Sequence, residues 1–252
     1  MKRLLKLILI VLGCSIILSE GHPIQVQAVV PEEMTPFVKS KENLKIAYLT
    51  FDDGPSTNTM DILDILDRYQ IKATFFVKGN EEPYAKRCYE EMISRGHEVA
   101  LHSYTHDYSI VYRSTKSFFQ DLNRLETMLE KEYGIKSKIV RLPGGSRNRL
   151  RQQASTKPII NGILQQLTEK GYIYTDWNID STDGISPTIS EHQIITSIQR
   201  GLNDQKHVNI LLHDINSMKN TVKALPKIIE ILKKEGYIFD TIDETTPKVQ
   251  FN

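Results

Sequence analysis

The chain has 252 residues, enough for one large domain or two small ones. Its 32 Lys and Arg against 31 Asp and Glu leave a formal net charge of +1, without the basic surplus that a nucleic-acid partner would call for. Hydrophobic residues at 40% and charged residues at 25% are ordinary for a globular protein and exclude disorder over the body of the chain.

Met1-Lys2-Arg3-Leu4-Leu5-Lys6 is a basic start to an apolar run from Leu7 to Leu18. That run is shorter than the ~20 apolar residues of a membrane-spanning helix. Val26-Gln27-Ala28 then offers small residues for a signal peptidase. Residues 1–28 read as an export leader, either cut or retained as a membrane anchor, the one place where membrane attachment is expected. Val11-Leu12-Gly13-Cys14 is a poor lipobox, because apolar residues continue past the cysteine. Residues 29–43, rich in Pro, Glu and Lys, read as a linker, and 44–252 as one folded domain. With the leader removed only Cys88 remains, so no internal disulfide is expected.

From Leu44 onward short β-rich runs alternate with helical patterns. Ile46–Phe51 reads as a buried strand and Met60–Tyr69 as a helix with apolar spacing at Ile62, Leu63, Ile65 and Leu66. Ala73–Val77 is a second strand, Tyr84–Arg95 a helix, Glu98–Leu101 a third strand and Lys116–Tyr133 a long amphipathic helix. Ile139–Leu142, Tyr172–Ile179, Val208–Leu212 and Tyr237–Phe239 read as further strands, separated by helices over Ile159–Lys170, Glu191–Leu202 and Thr221–Lys234. Such alternation implies βαβ units around a parallel sheet, and six or seven repeats favour a closed or nearly closed barrel.

Polar clusters sit at the strand ends: Asp52-Asp53, His102, Arg141, Asp180 with Asp183, and His213-Asp214. In a barrel of βα units these points share one rim, where active sites are built. Two adjacent carboxylates at a buried strand end repel each other and are costly to desolvate, a conflict that a cation and a basic partner remove. His102 and His106 face one side if the chain turns helically after the strand, and can then share a metal. Asp53, His102 and His106 holding a metal, with Asp52 free to take a proton and Arg141 beside it, satisfies these groups together. The ligand set fits zinc, and it also fits non-haem iron.

The segments Thr50-Phe51-Asp52-Asp53-Gly54-Pro55-Ser56, His102-Ser103-Tyr104-Thr105-His106, Arg141-Leu142-Pro143-Gly144-Gly145, Asp180-Ser181-Thr182-Asp183-Gly184 and Leu211-Leu212-His213-Asp214 resemble, in order and spacing, the five motifs of the polysaccharide deacetylases. This is the NodB-homology family, carbohydrate esterase family four, and the similarity covers about residues 44 to 240. The resemblance implies a distorted (β/α) barrel of six to seven parallel strands. It implies Asp52 as catalytic base and Asp53, His102 and His106 as ligands of a divalent metal, Zn2+ before Co2+, Fe2+ or Ni2+. Arg141 resembles the arginine that tethers the base, Pro143 shapes its loop, and a backbone N–H around Gly144 would face the oxyanion. His213 resembles the general acid, Asp183 the acid that orients it, and Leu211 a wall of the acetyl-methyl pocket.

The expected substrate is an N-acetylated polysaccharide of the cell wall, peptidoglycan first, with chitin-like oligomers or O-acetylated xylan as alternatives. The expected protein is exported: secreted, wall-associated, or anchored at the outer face of the cytoplasmic membrane. A catalytically silent glycan-binding module is the reading from another class, and the presence of Asp52 and His213 counts against it. Gly144 and Gly184 stand where the family commonly has aromatics, so the groove is expected to differ in shape. Trp177 reads as a core residue.

Overall fold

Ile46–Asp52, rich in the β-branched and aromatic residues that suit a pleated interior, forms the buried strand β1. The computed structural model describes residues 44–251 apart from 149, 151, 152 and 154, so the leader and linker expected over 1–43 lie outside the described residues. After β1 come α1 (Thr59–Tyr69), β2 (Thr74–Lys78), α2 (Pro83–Ser94), β3 (Glu98–Ser103), the short α3 (Tyr108–Val111), α4 (Thr115–Tyr133) and β4 (Ile139–Val140). The chain continues through α5 (Lys157–Glu169), β5 (Ile173–Tyr174), β6 (Ile179–Asp180), a 3-10 turn over Asp183–Ile185, α6 (Glu191–Leu202), β7 (His207–His213), α7 (Lys219–Lys234) and β8 (Ile238–Phe239). Among the described residues no helix is long and apolar enough to cross a membrane.

The strands are parallel, in the order β5-β4-β3-β2-β1-β7-β6, with β8 added beside the start of β1. Side chains alternate between two faces along each strand. Ala47, Leu49 and Phe51 join the large apolar layer shared with the helices, including Leu63, Leu122 and Ile228. Ile46 and Tyr48 pack inside the curl with Phe76, Ala100, Ile139 and Ile242. Thr50 and Asp52 continue that inner face toward the rim, as do His102 on β3 and Asn209, Leu211 and His213 on β7. Asp52 and His213 are paired in register across β1 and β7.

One expected strand is corrected. Tyr172–Ile179 is not continuous: β5 pairs with β4, β6 pairs with β7, and Thr175–Asn178 runs between them. These two pairs lie at opposite ends of the strand order, so four residues of chain bridge the two edges and draw the sheet into a distorted (β/α) barrel. The C-terminal segment straps this seam. Asp176 N–H donates to the Val249 carbonyl (2.7 Å), and Phe251 N–H donates to Asp176 Oδ2 (2.8 Å).

Candidate active site

Burial at the end of β1 sets the problem that the neighbouring side chains solve. Asp52 is 4% exposed, and the chain turns immediately after it, with Asp53 at φ 74°. Burial pushes the Asp52 carboxyl above the ordinary carboxylate range, while the Arg141 guanidinium pulls it back. Arg141 is wholly buried, and each of its five N–H donors has an acceptor. Nη1 donates to Thr50 Oγ1 (2.7 Å) and Asp52 Oδ1 (2.8 Å), Nη2 to the Asp176 carbonyl (2.9 Å) and Asn209 Oδ1 (3.0 Å), and Nε to the Thr175 carbonyl (3.3 Å). The Phe76 ring lies 4.1 Å from its Cζ.

Beside this pair, Asp53 Oδ1 is 3.5 Å from His102 Nε2 and 3.1 Å from His106 Nε2. His102 Nδ1 lies 2.7 Å from the Arg141 carbonyl, which can only accept, so Nδ1 carries the proton and Nε2 turns its lone pair inward. Burial drives both imidazoles down to about 4, which makes them neutral ligands near pH 7. Asp53 Oδ1 is buried and has no hydrogen-bond partner among the described residues. A bare buried carboxylate oxygen facing the His102 lone pair and a second imidazole nitrogen is unfavourable as it stands. The three ligand atoms lie within 4.8 Å of one another, and the residues fit a divalent metal ion.

The route from His102 to His106 differs from the expected helical turn. His102 is still on β3, and His106 stands in an irregular turn at φ 53°. Asp121, on the apolar stripe of α4, builds that turn. It accepts from Ser103 Oγ (2.6 Å), from Tyr104 N–H (2.7 Å), and from Thr105 N–H (3.0 Å) and Oγ1 (2.7 Å). Ser103 Oγ in turn accepts from His106 N–H at 2.9 Å.

His213 Nδ1 is 2.7 Å from Asp183 Oδ1, and Asp183 Oδ2 accepts from His213 N–H and Thr221 Oγ1, each at 2.8 Å. Burial alone would lower the imidazole, but the Asp183 carboxylate, with Asp52 and Asp53 farther off, raises it to about 9. The ring is therefore protonated near neutrality.

A family model described as polysaccharide deacetylase matches residues 39–158. YheN of Bacillus subtilis, a polysaccharide deacetylase by name, is 31% identical over 85% of this chain and 74% of its own length. A peptidoglycan-N-acetylglucosamine deacetylase of Bacillus cereus is 30% identical over 79% of this chain and 70% of its own. The chain belongs to the polysaccharide deacetylase family. The crystal structure of the catalytic domain of peptidoglycan N-acetylglucosamine deacetylase from Eubacterium rectale superposes with a TM-score of 0.76, at 35% identity, over 82% of this chain and 93% of that one.

In this deacetylase the seven residues Asp52, Asp53, His102, His106, Arg141, Asp183 and His213 occupy one rim. Leu211, 4% exposed, lies two residues before His213 on the inner face of β7. Pro143 and Gly144 follow Arg141 in a turn held by Tyr112 Oη, which donates to the Pro143 carbonyl at 2.8 Å. Within that turn Pro143 has no N–H and the Gly145 N–H is taken by the Leu142 carbonyl, while the Gly144 N–H has no acceptor among the described residues. Side chains close in on both unusual glycines, so an added Cβ would displace a neighbour. A Cβ at Gly144 would lie 2.4 Å from Tyr108 Oη, and one at Gly184 would lie 2.5 Å from His213 Cε1.

Of the two other acids, Asp180 is exposed and accepts from Thr182 N–H at 2.7 Å, whereas Asp214 is wholly buried under Gly54 and accepts from Ser56 Oγ and Thr59 Oγ1. Trp177 is half-buried rather than core, packed edge-on against Phe251 with centroids 5.0 Å apart. Sequence reasoning did not single out Asp121, Asn209 or Tyr108, or Asp176 as the tether of the loop at Ser146. For Asp121 a signal existed, a carboxylate placed three residues after Phe118 and four before Leu125 on one helical face.

Proposed function

We propose that this deacetylase removes N-acetyl groups from the amino sugars of peptidoglycan outside the cytoplasm, with one divalent metal ion, Zn2+ by its donor set, held by Asp53, His102 and His106. The observation that carries the reading is the partnerless Asp53 Oδ1 facing two imidazole nitrogens, next to a second carboxylate pinned by Arg141. Relatives named for peptidoglycan support the polymer. Bound Zn2+ supplies Lewis acidity to the acetamide carbonyl and to the attacking water.

The chain supplies the proton transfers. Asp52 accepts a proton from the water; its raised basicity comes from burial, and Arg141 keeps it ionised and aimed. The Gly144 N–H donates to the developing oxyanion. An amide anion leaves poorly, so the sugar nitrogen takes a proton as the C–N bond breaks. His213 gives that proton from Nε2, since its Nδ1–H faces Asp183. Leu211 packs against the acetyl methyl group.

Residues 1–28 are assigned to an export leader, 29–43 to a linker, and 44–252 to the catalytic domain. N-terminal sequencing of protein recovered from medium and membrane fractions tests the leader. For the chemistry, the zinc-loaded full chain is incubated with purified peptidoglycan and acetate is quantified. Release is expected, and its loss in Asp52→Asn at unchanged zinc content assigns the base. No release at full zinc occupancy would remove the reading.

A further inference from the structure

Lys78 is the charged group near the site that this mechanism leaves unused. It ends β2 and, together with Asp53, lines a hollow of about 240 Å³ on the flank of the histidine cluster. Lys72, Lys136 and Lys138 each reach a carboxylate within 4.0 Å, whereas no carboxylate among the described residues pairs with Lys78. Its charge bears on Asp53, His102 and His106 and on the buried Asp214, and it lines the hollow beside Asp53 and Thr105. The other acid of the hollow, Asp214, is occupied by Ser56 and Thr59 beneath the floor at Gly54. The remaining wall is neutral and polar, with Asn80, Tyr84, Thr105 and Asn216. With Asp53 given to the metal, the charged groups left in the hollow are Lys78 and Asp214; Asp214 is wholly buried with its oxygens held by Ser56 and Thr59, so the ammonium is the charge that a ligand entering among the polar groups meets. That is the chemistry of an anion site.

We propose, resting on the function above, that the hollow receives a carboxylate carried on the O3 arm of the sugar being deacetylated, with Lys78 as its counter-ion. In N-acetylmuramic acid the lactyl ether on O3 adjoins the carbon that bears the acetamide, so the arm enters the hollow while the acetyl group faces the metal ligands. N-acetylglucosamine has only a hydroxyl there. The carboxylate is the free lactyl acid of a peptide-free strand or an acid of the attached stem peptide. The shared requirement is a negative charge next to the scissile amide.

The test measures binding by titration calorimetry to the zinc-loaded full chain carrying Asp52→Asn, which suppresses turnover. The probes are a peptide-free tetrasaccharide containing N-acetylmuramic acid, its lactyl methyl ester, the same strand bearing an Ala–Glu stem, and chitotetraose. One of the carboxylate probes is expected to bind about tenfold tighter than the ester. That margin should vanish in Lys78→Met and persist in Lys78→Arg, and the winning probe names the source of the carboxylate. Equal affinity for acids and ester, or a margin that survives Lys78→Met, overturns the proposal. Acetate release by the protein with Asp52 intact is read separately. A Lys78-dependent margin without release would retain the anion site and remove the hydrolase reading, and release without a margin would do the reverse.

Discussion

Arg141 has no spare donor, and this makes it the residue on which Asp52 depends. Arg141→Met leaves a buried carboxylate without counter-charge, which typically costs about 3–5 kcal/mol. Urea unfolding at pH 7 should show that loss, and the loss should shrink as the pH falls and Asp52 becomes protonated. The alkaline side of the pH profile is governed by His213. With Asp52 as the proposed base and His213 as the proposed acid, activity needs the first ionised and the second protonated, so kcat/KM should fall as pH rises through about 9. Asp183→Asn removes the charge that raises the imidazole, and the alkaline limb should move to lower pH. The same group affects stability. Its folded value of about 9 exceeds the ordinary 6.5, so the Asp183–His213 pair stabilises fully below pH 6.5 and loses that contribution as pH rises through 9.

Among the elements, the turn between β3 and α3 depends on a carboxylate that arrives from α4. Asp121→Ala removes four acceptor contacts that shape the approach to His106. Zinc affinity should fall by about 10–100-fold, the usual scale for losing a group that orients a ligand, as read by chelator competition. This turn also marks where the sequence stops being legible. Asp52, Asp53, His102 and Arg141 can be read because each closes an apolar strand, and a strand end on a barrel rim is a position with chemical meaning. The spacing of His102 and His106 suggested a helix, because three intervening residues suit one helical turn. The actual path is set by Asp121, fifteen residues past His106, and local periodicity carries no information about that partner. The break between β5 and β6 was hidden for a related reason. Tyr172–Ile179 is β-compatible throughout, and only its neighbours decide that one half joins β4 and the other β7. Trp177 falls in that crossing, which is why it is half-buried instead of core.

At the scale of the molecule, the seam at Thr175–Asn178 holds the barrel closed and carries two carbonyls that Arg141 needs. The C-terminal strap supports it through Val249, Gln250 and Phe251. Phe251→Ala removes an edge-to-face ring pair and apolar cover from Trp177, a loss of about 1–2 kcal/mol. In a domain near 200 residues this should lower Tm by ~2–6 °C in a calorimetric scan. Gly184→Ala, in contrast, should leave Tm little changed and abolish turnover, since its methyl group enters the space of the His213 ring.

Because Asp52 and His213 stand opposite each other on β1 and β7, the proposed proton acceptor and donor become neighbours only when segments some 160 residues apart have docked. A one-residue slip of that pairing would send His213 outward. Turnover is therefore a gauge of correct assembly: a chain diluted out of urea stays inert through collapse and helix formation, and regains acetate release only as its last third finds the first.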